Sequence, residues 1–194
     1  MGFEPDVPVP PLFEQSWPEG EFRFFQLGHV VAAARRWVAA FGVGPFHVLP
    51  VVEQRAVYGD EERVVRLQVA VAQAGPVQIE LIQQHCETPS IFLEWSRGGT
   101  SAFHQIATVT SDYDGKVAGL RGLGYPVVAE SLAGSFRVAY VDTAAEFGFY
   151  TEIVESTPKF LGQVRAISET CAGWDGSDPV RLLTRDGYRV PEQA

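Results

Sequence analysis

Two stretches of this sequence are versions of one another, and an internal duplication leaves a chain few folds to choose from. The first copy runs from Leu27-Gly28-His29-Val30-Val31 to Val77-Gln78-Ile79-Glu80-Leu81. The second runs from Phe103-His104-Gln105-Ile106-Ala107 to Phe149-Tyr150-Thr151-Glu152-Ile153. Each copy carries a metal-ligand-type residue near each end. His29 precedes Glu80 by 51 residues, and Gln105 precedes Glu152 by 47. If the copies pack as pseudo-symmetric partners, four polar side chains meet at one point, and a metal ion is the simplest reason for that.

A chain of 194 residues fits one compact domain or two small modules sharing a core. No apolar run reaches the roughly 18 residues of a membrane span, and no basic segment followed by an apolar core marks a secretory signal. Cys86 and Cys171 lack the spacing of a metal or redox motif, so a reduced, cytoplasmic setting is expected. The net charge of −9 and the scattered basic residues argue against nucleic acid, which needs a clustered positive surface. The expected partner is a small molecule, with neither nucleic acid nor membrane, and a homodimer is compatible with the size.

Periodicity divides the chain into an extended, proline-rich arm over 1–21, a βαβββ module over 22–88, a linker over 89–101, a second βαβββ module over 102–157, and a helix with a polar tail over 158–194. A strand is expected over 22–31, a helix over 32–41 stopped by Gly42, and a strand around 46–52. Residues 54–60 read as a loop. Alternation over 63–73 places Val65, Leu67, Val69 and Val71 on one face, and 77–83 is the next strand. The second half repeats the pattern: strand 102–110, helix 112–122 capped by Ser111 or Asp112, then strands over 125–130, 136–142 and 147–155. A terminal helix is expected over 160–171.

Tandem βαβββ modules with His in the first strand and Glu in the last resemble the vicinal oxygen chelate superfamily of glyoxalase I, methylmalonyl-CoA epimerase, extradiol dioxygenases and bleomycin-resistance proteins. The matching pieces are Leu27-Gly28-His29-Val30-Val31, Phe41-Gly42-Val43-Gly44-Pro45-Phe46, Gln78-Ile79-Glu80-Leu81, Phe103-His104-Gln105-Ile106-Ala107 and Thr151-Glu152-Ile153-Val154. The resemblance implies an α+β fold: a U-shaped mixed sheet around a cleft, with a divalent ion held by His29, Glu80, Gln105 and Glu152. The family slot at Gln105 usually holds histidine, and His104 stands one place earlier. Successive strand residues face opposite ways, so a regular strand admits one of the two. A bulge would bring His104 inward as the alternative ligand.

Two carboxylates, one imidazole and one amide make an N/O donor set suited to Ni, Co, Mn, Zn or Mg. Such an ion stabilises an enolate formed beside a carbonyl, and Glu80 or Glu152 would serve as the base. The expected activity is therefore a glyoxalase-type, metal-dependent lyase or isomerase acting on a small carbonyl compound. Two alternatives remain open: a metal-free, resistance-type binding protein, and an Fe(II) extradiol-type dioxygenase using His29, His104 and Glu152. An epimerase is less favoured, because the third strand offers Arg66, Leu67 and Gln68 where an additional acid or base is expected. His47 reads as structural and His85 as a solvated loop residue. The aromatic residues Phe22, Phe24, Phe25, Trp37, Phe41 and Phe46 read chiefly as packing of a helix on the sheet.

Overall fold

The computed structural model describes the backbone of residues 22–27 and the chain over 29–95, 102–184 and 186–191. The arm expected over 1–21 and most of the linker's second half lie outside the described residues. The element order is β1 (Phe22–Leu27), α1 (Val30–Phe41), β2 (Phe46–Val48), β3 (Val52–Tyr58), β4 (Glu61–Ala74), β5 (Val77–Gln84), α2 (Ile91–Trp95), β6 (Phe103–Thr110), α3 (Tyr113–Gly122), β7 (Val127–Ala133), β8 (Phe136–Val141), α4 (Ala144–Phe147), β9 (Tyr150–Glu155), α5 (Pro158–Ala172), β10 (Val180–Thr184) and β11 (Gly187–Arg189). The architecture is α+β around one mixed sheet.

The sheet runs β11-β10-β2-β4-β3-β7-β8-β9-β6-β1-β5, and β5 pairs again with β4. β1 joins the halves: it runs parallel to β5 of its own half and antiparallel to β6 of the other. In the second half β6 lies parallel to β9, repeating the β1–β5 arrangement. β3 and β7 pair through Ala56–Ser131, Val57–Glu130 and Tyr58–Ala129. The expected U is therefore closed at its open end. This pairing also explains why residues 54–60 are mostly strand and not loop. Their polar pattern suits an edge, and β4 and β7 supply the hydrogen-bonding partners that sequence alone does not display.

Helices cover the outside of this ring, and the period of two decides what each strand gives to them. Phe46 and Val48 of β2, Ala70 and Ala72 of β4, and Ile79 and Leu81 of β5 pack outward against Val30, Ala33 and Ala34 of α1. Alanine on both sides lets helix and sheet approach closely. Gly42 ends α1 at φ +66°, with its N–H on the Val38 carbonyl at 2.9 Å. On the second half, Tyr113 and Val117 of α3 pack on Ala139, Val141 and Ile153. Asp112 caps α3 by accepting from the Gly115 N–H at 3.1 Å. The complementary residues point inward and build the interior, from Val65 and Leu67 to Val138, Tyr140 and Val154.

The last segment is not a polar tail. After α5 the chain returns to the sheet, where β10 adds parallel to β2 and β11 forms a hairpin on β10. The approach is close: a Cβ on Gly44 would sit 2.9 Å from the Trp174 ring, and the Phe46 N–H donates to the Pro179 carbonyl at 2.8 Å. α5 packs against β4, and Phe160, 5% exposed, lies 4.6 Å from the Phe136 ring. Thr157 caps α5 by accepting from the Phe160 N–H at 3.2 Å, with Pro158 in the first turn. Thr157→Ala is expected to cost about 1 kcal/mol of unfolding free energy, read as a lower urea midpoint. An unchanged midpoint would mean that the cap contributes nothing. No described helix is long and apolar enough to cross a membrane.

Candidate metal and ligand centre

Cross-strand register gathers the polar residues of the inner face. His47 of β2 pairs with Val71 of β4, Val71 with Glu80 of β5, Glu80 with Phe25 of β1, and Phe25 with Gln105 of β6. Alongside, Glu152 of β9 pairs with Ala107 of β6 on one side and with Tyr140 of β8 on the other. Directly paired residues share a face, so His47, Glu80, Gln105, Tyr140 and Glu152 belong to one side of the sheet. That side encloses a cavity of about 370 Å³, lined by His47, Glu80, Tyr140 and Glu152 among apolar residues that include Val69, Val71, Ile82 and Phe136. Phe160, Gln163, Val164 and Ile167 of α5 form its cover.

Behind Glu152, Gln105 is fully buried and its Nε2 donates to Glu152 Oε2 at 3.1 Å. The Gln105 carbonyl oxygen meets His104 Nδ1, and His104 Nε2 lies 3.3 Å from the Ile91 carbonyl. A register shift between Phe25 and Gln26, opposite Gln105 and Phe103, leaves His104 as the extra residue of a bulge. Both neighbours are thereby accommodated in the interior. The His104 ring packs at 5.0 Å from Phe92, 5.7 Å from Trp95 and 5.1 Å from Tyr150. Burial takes the His104 pKa down to about 4, although its contacts with Gln105 and the Ile91 carbonyl pull upward. A neutral ring donates through one nitrogen only, so it cannot hold both oxygen atoms, and the Gln105 carbonyl can be released to another partner.

Tyr140 reports on the two carboxylates. Burial first, then the charges of Glu152 and Glu80, push its hydroxyl well above the ordinary phenol range. It stays protonated and can only donate toward these acceptors. Glu80 and Glu152 both line the same cavity as Tyr140. Glu80 is 8% exposed and Glu152 4%.

Of the expected ligands, Gln105 contacts Glu152, Glu80 lines the same cavity as Glu152, and His29 is left out. β1 ends at Leu27; His29 is the N-cap of α1, exposed, with its carbonyl accepting from the Ala33 N–H at 2.8 Å. The strand expected over 22–31 is thus too long. Val30-Val31 suits strand or helix, and the alanine-rich stretch that follows decides for helix from Val30. The extradiol set of His29, His104 and Glu152 does not assemble either, since its first member is outside and His104 is enclosed by aromatic rings. Among the described residues, no three His, Cys, Asp or Glu side chains are placed to hold a metal.

Three contributors escape the sequence pattern. His47, read as structural, lines the cavity; Phe46 and Val48 facing α1 are the signal that turns it inward. Tyr140 follows from the same alternation in β8. Tyr188 has no such signal, because its place depends on the β10–β11 hairpin. His85, by contrast, is a half-buried residue bonded to Gln68 Oε1 at 3.1 Å, away from the centre.

A sequence profile of the Glyoxalase/Bleomycin resistance protein/Dioxygenase superfamily matches residues 28–140, more than half of the chain. The chain belongs to this superfamily. One solved structure agrees on the fold. A hypothetical protein from Bacillus halodurans C-125 is 14% identical at a TM-score of 0.51, covering 74% of this chain and 96% of that one. Methylmalonyl-CoA epimerase from Mycobacterium tuberculosis is 18% identical at a TM-score of 0.49, covering 72% of this chain and 89% of its own. Among curated proteins none matches. In superfamily terms, α5 and the whole β10–β11 hairpin lie beyond the matched region.

Proposed function

We propose that this superfamily member is an isomerase- or lyase-type enzyme that binds a small carbonyl compound in the 370 Å³ cavity and uses a divalent cation held by Glu80, Gln105 and Glu152. The observation that carries the reading is the pair of buried carboxylates, one from each half, that line one cavity with Tyr140, with Gln105 bonded to Glu152. The donor set fits a cation. Two carboxylates and an amide carbonyl are hard oxygen ligands, and the Gln105 oxygen would have to exchange its contact with His104 for the cation. With His29 outside, the set favours Mg or Mn over the nitrogen-preferring Ni, Co and Zn.

When bound, such a cation acts as a Lewis acid toward a carbonyl oxygen. The chain's own groups do the rest. Glu80 or Glu152 accepts the proton from the carbon beside the carbonyl and returns it to the product. Tyr140, held protonated, donates a hydrogen bond where negative oxygen builds up. The apolar walls and α5 keep water from the reacting carbon. Leu67 lies on the cavity face of β4 while Arg66 is exposed, so that strand supplies no extra acid or base there.

The second reading, a metal-free binding protein, is favoured by one observation: Gln105 is already bonded on both sides, to His104 and to Glu152. Proton exchange separates the two. With Mn in deuterium oxide, the wild type is expected to exchange the proton beside the carbonyl of aryl-substituted α-hydroxy ketones, and Glu80→Gln or Glu152→Gln to lower that rate by at least about 100-fold. Tight binding of these ketones without exchange, equal with Mn and with chelator, would assign the cavity to binding alone.

A further inference from the structure

At the opposite wall from the carboxylates stands a polar pair that the proposed chemistry does not use. His47 is 1% exposed, yet its Nε2 has no hydrogen-bond partner. Its Nδ1 lies 3.0 Å from the Tyr188 hydroxyl, and the rings meet edge-on at 5.2 Å. Both residues line the cavity. A buried polar atom left unpaired is unusual in a folded protein and asks for an explanation. We propose that His47, oriented by Tyr188, anchors an uncharged acceptor oxygen at the far end of the ligand, and so selects its length and polarity. This deepens the reading of the cavity as a ligand site but does not depend on the cation.

The chemistry of the pair sets the direction of the bond. A phenol is a good donor and a poor acceptor, whereas an imidazole nitrogen is a strong acceptor. The Tyr188 hydroxyl therefore donates to Nδ1, which places the ring proton on Nε2. Burial of the ring, and Arg181 registered beside His47 on β10, both oppose a positive charge, and the pKa falls to about 4. The anchor is thus a neutral N–H donor. It suits a ketone, ester or amide oxygen.

The sheet also fixes the spacing. His47 and Glu80 both pair with Val71, so two strand spacings, roughly 10 Å, separate their backbones. Val69, Val71 and Ile82 make the wall between them apolar. The ligand this shape takes is an elongated, apolar molecule with an acceptor oxygen at each end. Tyr188 belongs to β11, outside residues 28–140 that the superfamily profile matches.

The test uses the full chain with excess chelator, which makes it independent of the metal reading. The probes are the solvatochromic naphthyl ketone prodan and its analogue with the carbonyl reduced to methylene, both titrated by fluorescence. The wild type is expected to bind the ketone about 5–30-fold more tightly than the analogue. That gap should close to within about 2-fold in His47→Phe, with the analogue's affinity unchanged. Tyr188→Phe, at an exposed position that leaves the core intact, should narrow the gap as well. Equal affinities in the wild type, or a gap that survives both substitutions, would overturn the proposal. Loss of the gap with Mn affinity preserved supports it separately from the catalytic reading.

Discussion

Acidification from neutral pH to about 4 is expected to strip several kcal/mol from the fold, because two buried imidazoles must stay neutral. His47 and His104 both have pKa values lowered from 6.5 to about 4, in each case chiefly by burial. The unfolded chain takes up these protons near 6.5, while the folded chain resists them until about 4. Their contribution is therefore complete above 6.5, declines as the pH falls through that window, and is gone below about 4. A tenfold difference in proton affinity between the two states is worth about 1.4 kcal/mol, so the two rings together contribute at most about 7 kcal/mol. Urea unfolding at a series of pH values reads this directly. His47→Phe and His104→Phe should each flatten the pH dependence, and a dependence unchanged in both variants would show that neither ring is held neutral. The carboxylates of Asp114 and Glu155, lowered mainly by Arg137, are exposed or half-exposed, and their contribution is lost only from about 4.5 downward.

How far the sequence discloses this architecture depends on whether local pattern or distant pairing decides each element. Val65, Leu67, Val69 and Val71 alternate toward the interior as expected, since a strand buried on one face writes its period into the sequence. α3 begins at the capping Asp112, one of the two residues expected there, and Gly42 stops α1. β3 and the β10–β11 hairpin are opaque. Both are short or polar: β3 is fixed by pairing with β4 along its length and with the remote β7, and the hairpin by adding to the remote β2.

The candidate centre divides in the same way. Glu80 and Glu152 are legible from the duplicated spacing, and both reach the interior. His29 is misplaced when the repeat is aligned through Val30-Val31, because the chain turns into a helix at that point. Alternation cannot choose between His104 and Gln105, since the bulge at His104 suspends it. The structure assigns them different parts: Gln105 touches Glu152, and His104 braces Gln105 from an aromatic nest.

The second large effect concerns the cation. Removing a residue that only orients a metal ligand typically weakens binding by about 10–100-fold, and removing a ligand carboxylate should exceed that. Glu152→Gln also converts the acceptor that Gln105 Nε2 now contacts into an amide, so it loses charge and alters the contact at once. His29→Ala removes an exposed ring at a helix N-cap whose side chain makes no capping bond, and nothing at the cavity floor should change. The two substitutions together separate the ligand set read from the structure from the one read from the sequence. Calorimetric titration with Mn is the most direct measurement: one site per chain is expected, at least about 100-fold weaker in Glu152→Gln and unchanged in His29→Ala. Mn binding that survives Glu152→Gln, or that disappears with His29→Ala, would contradict the ligand set of Glu80, Gln105 and Glu152.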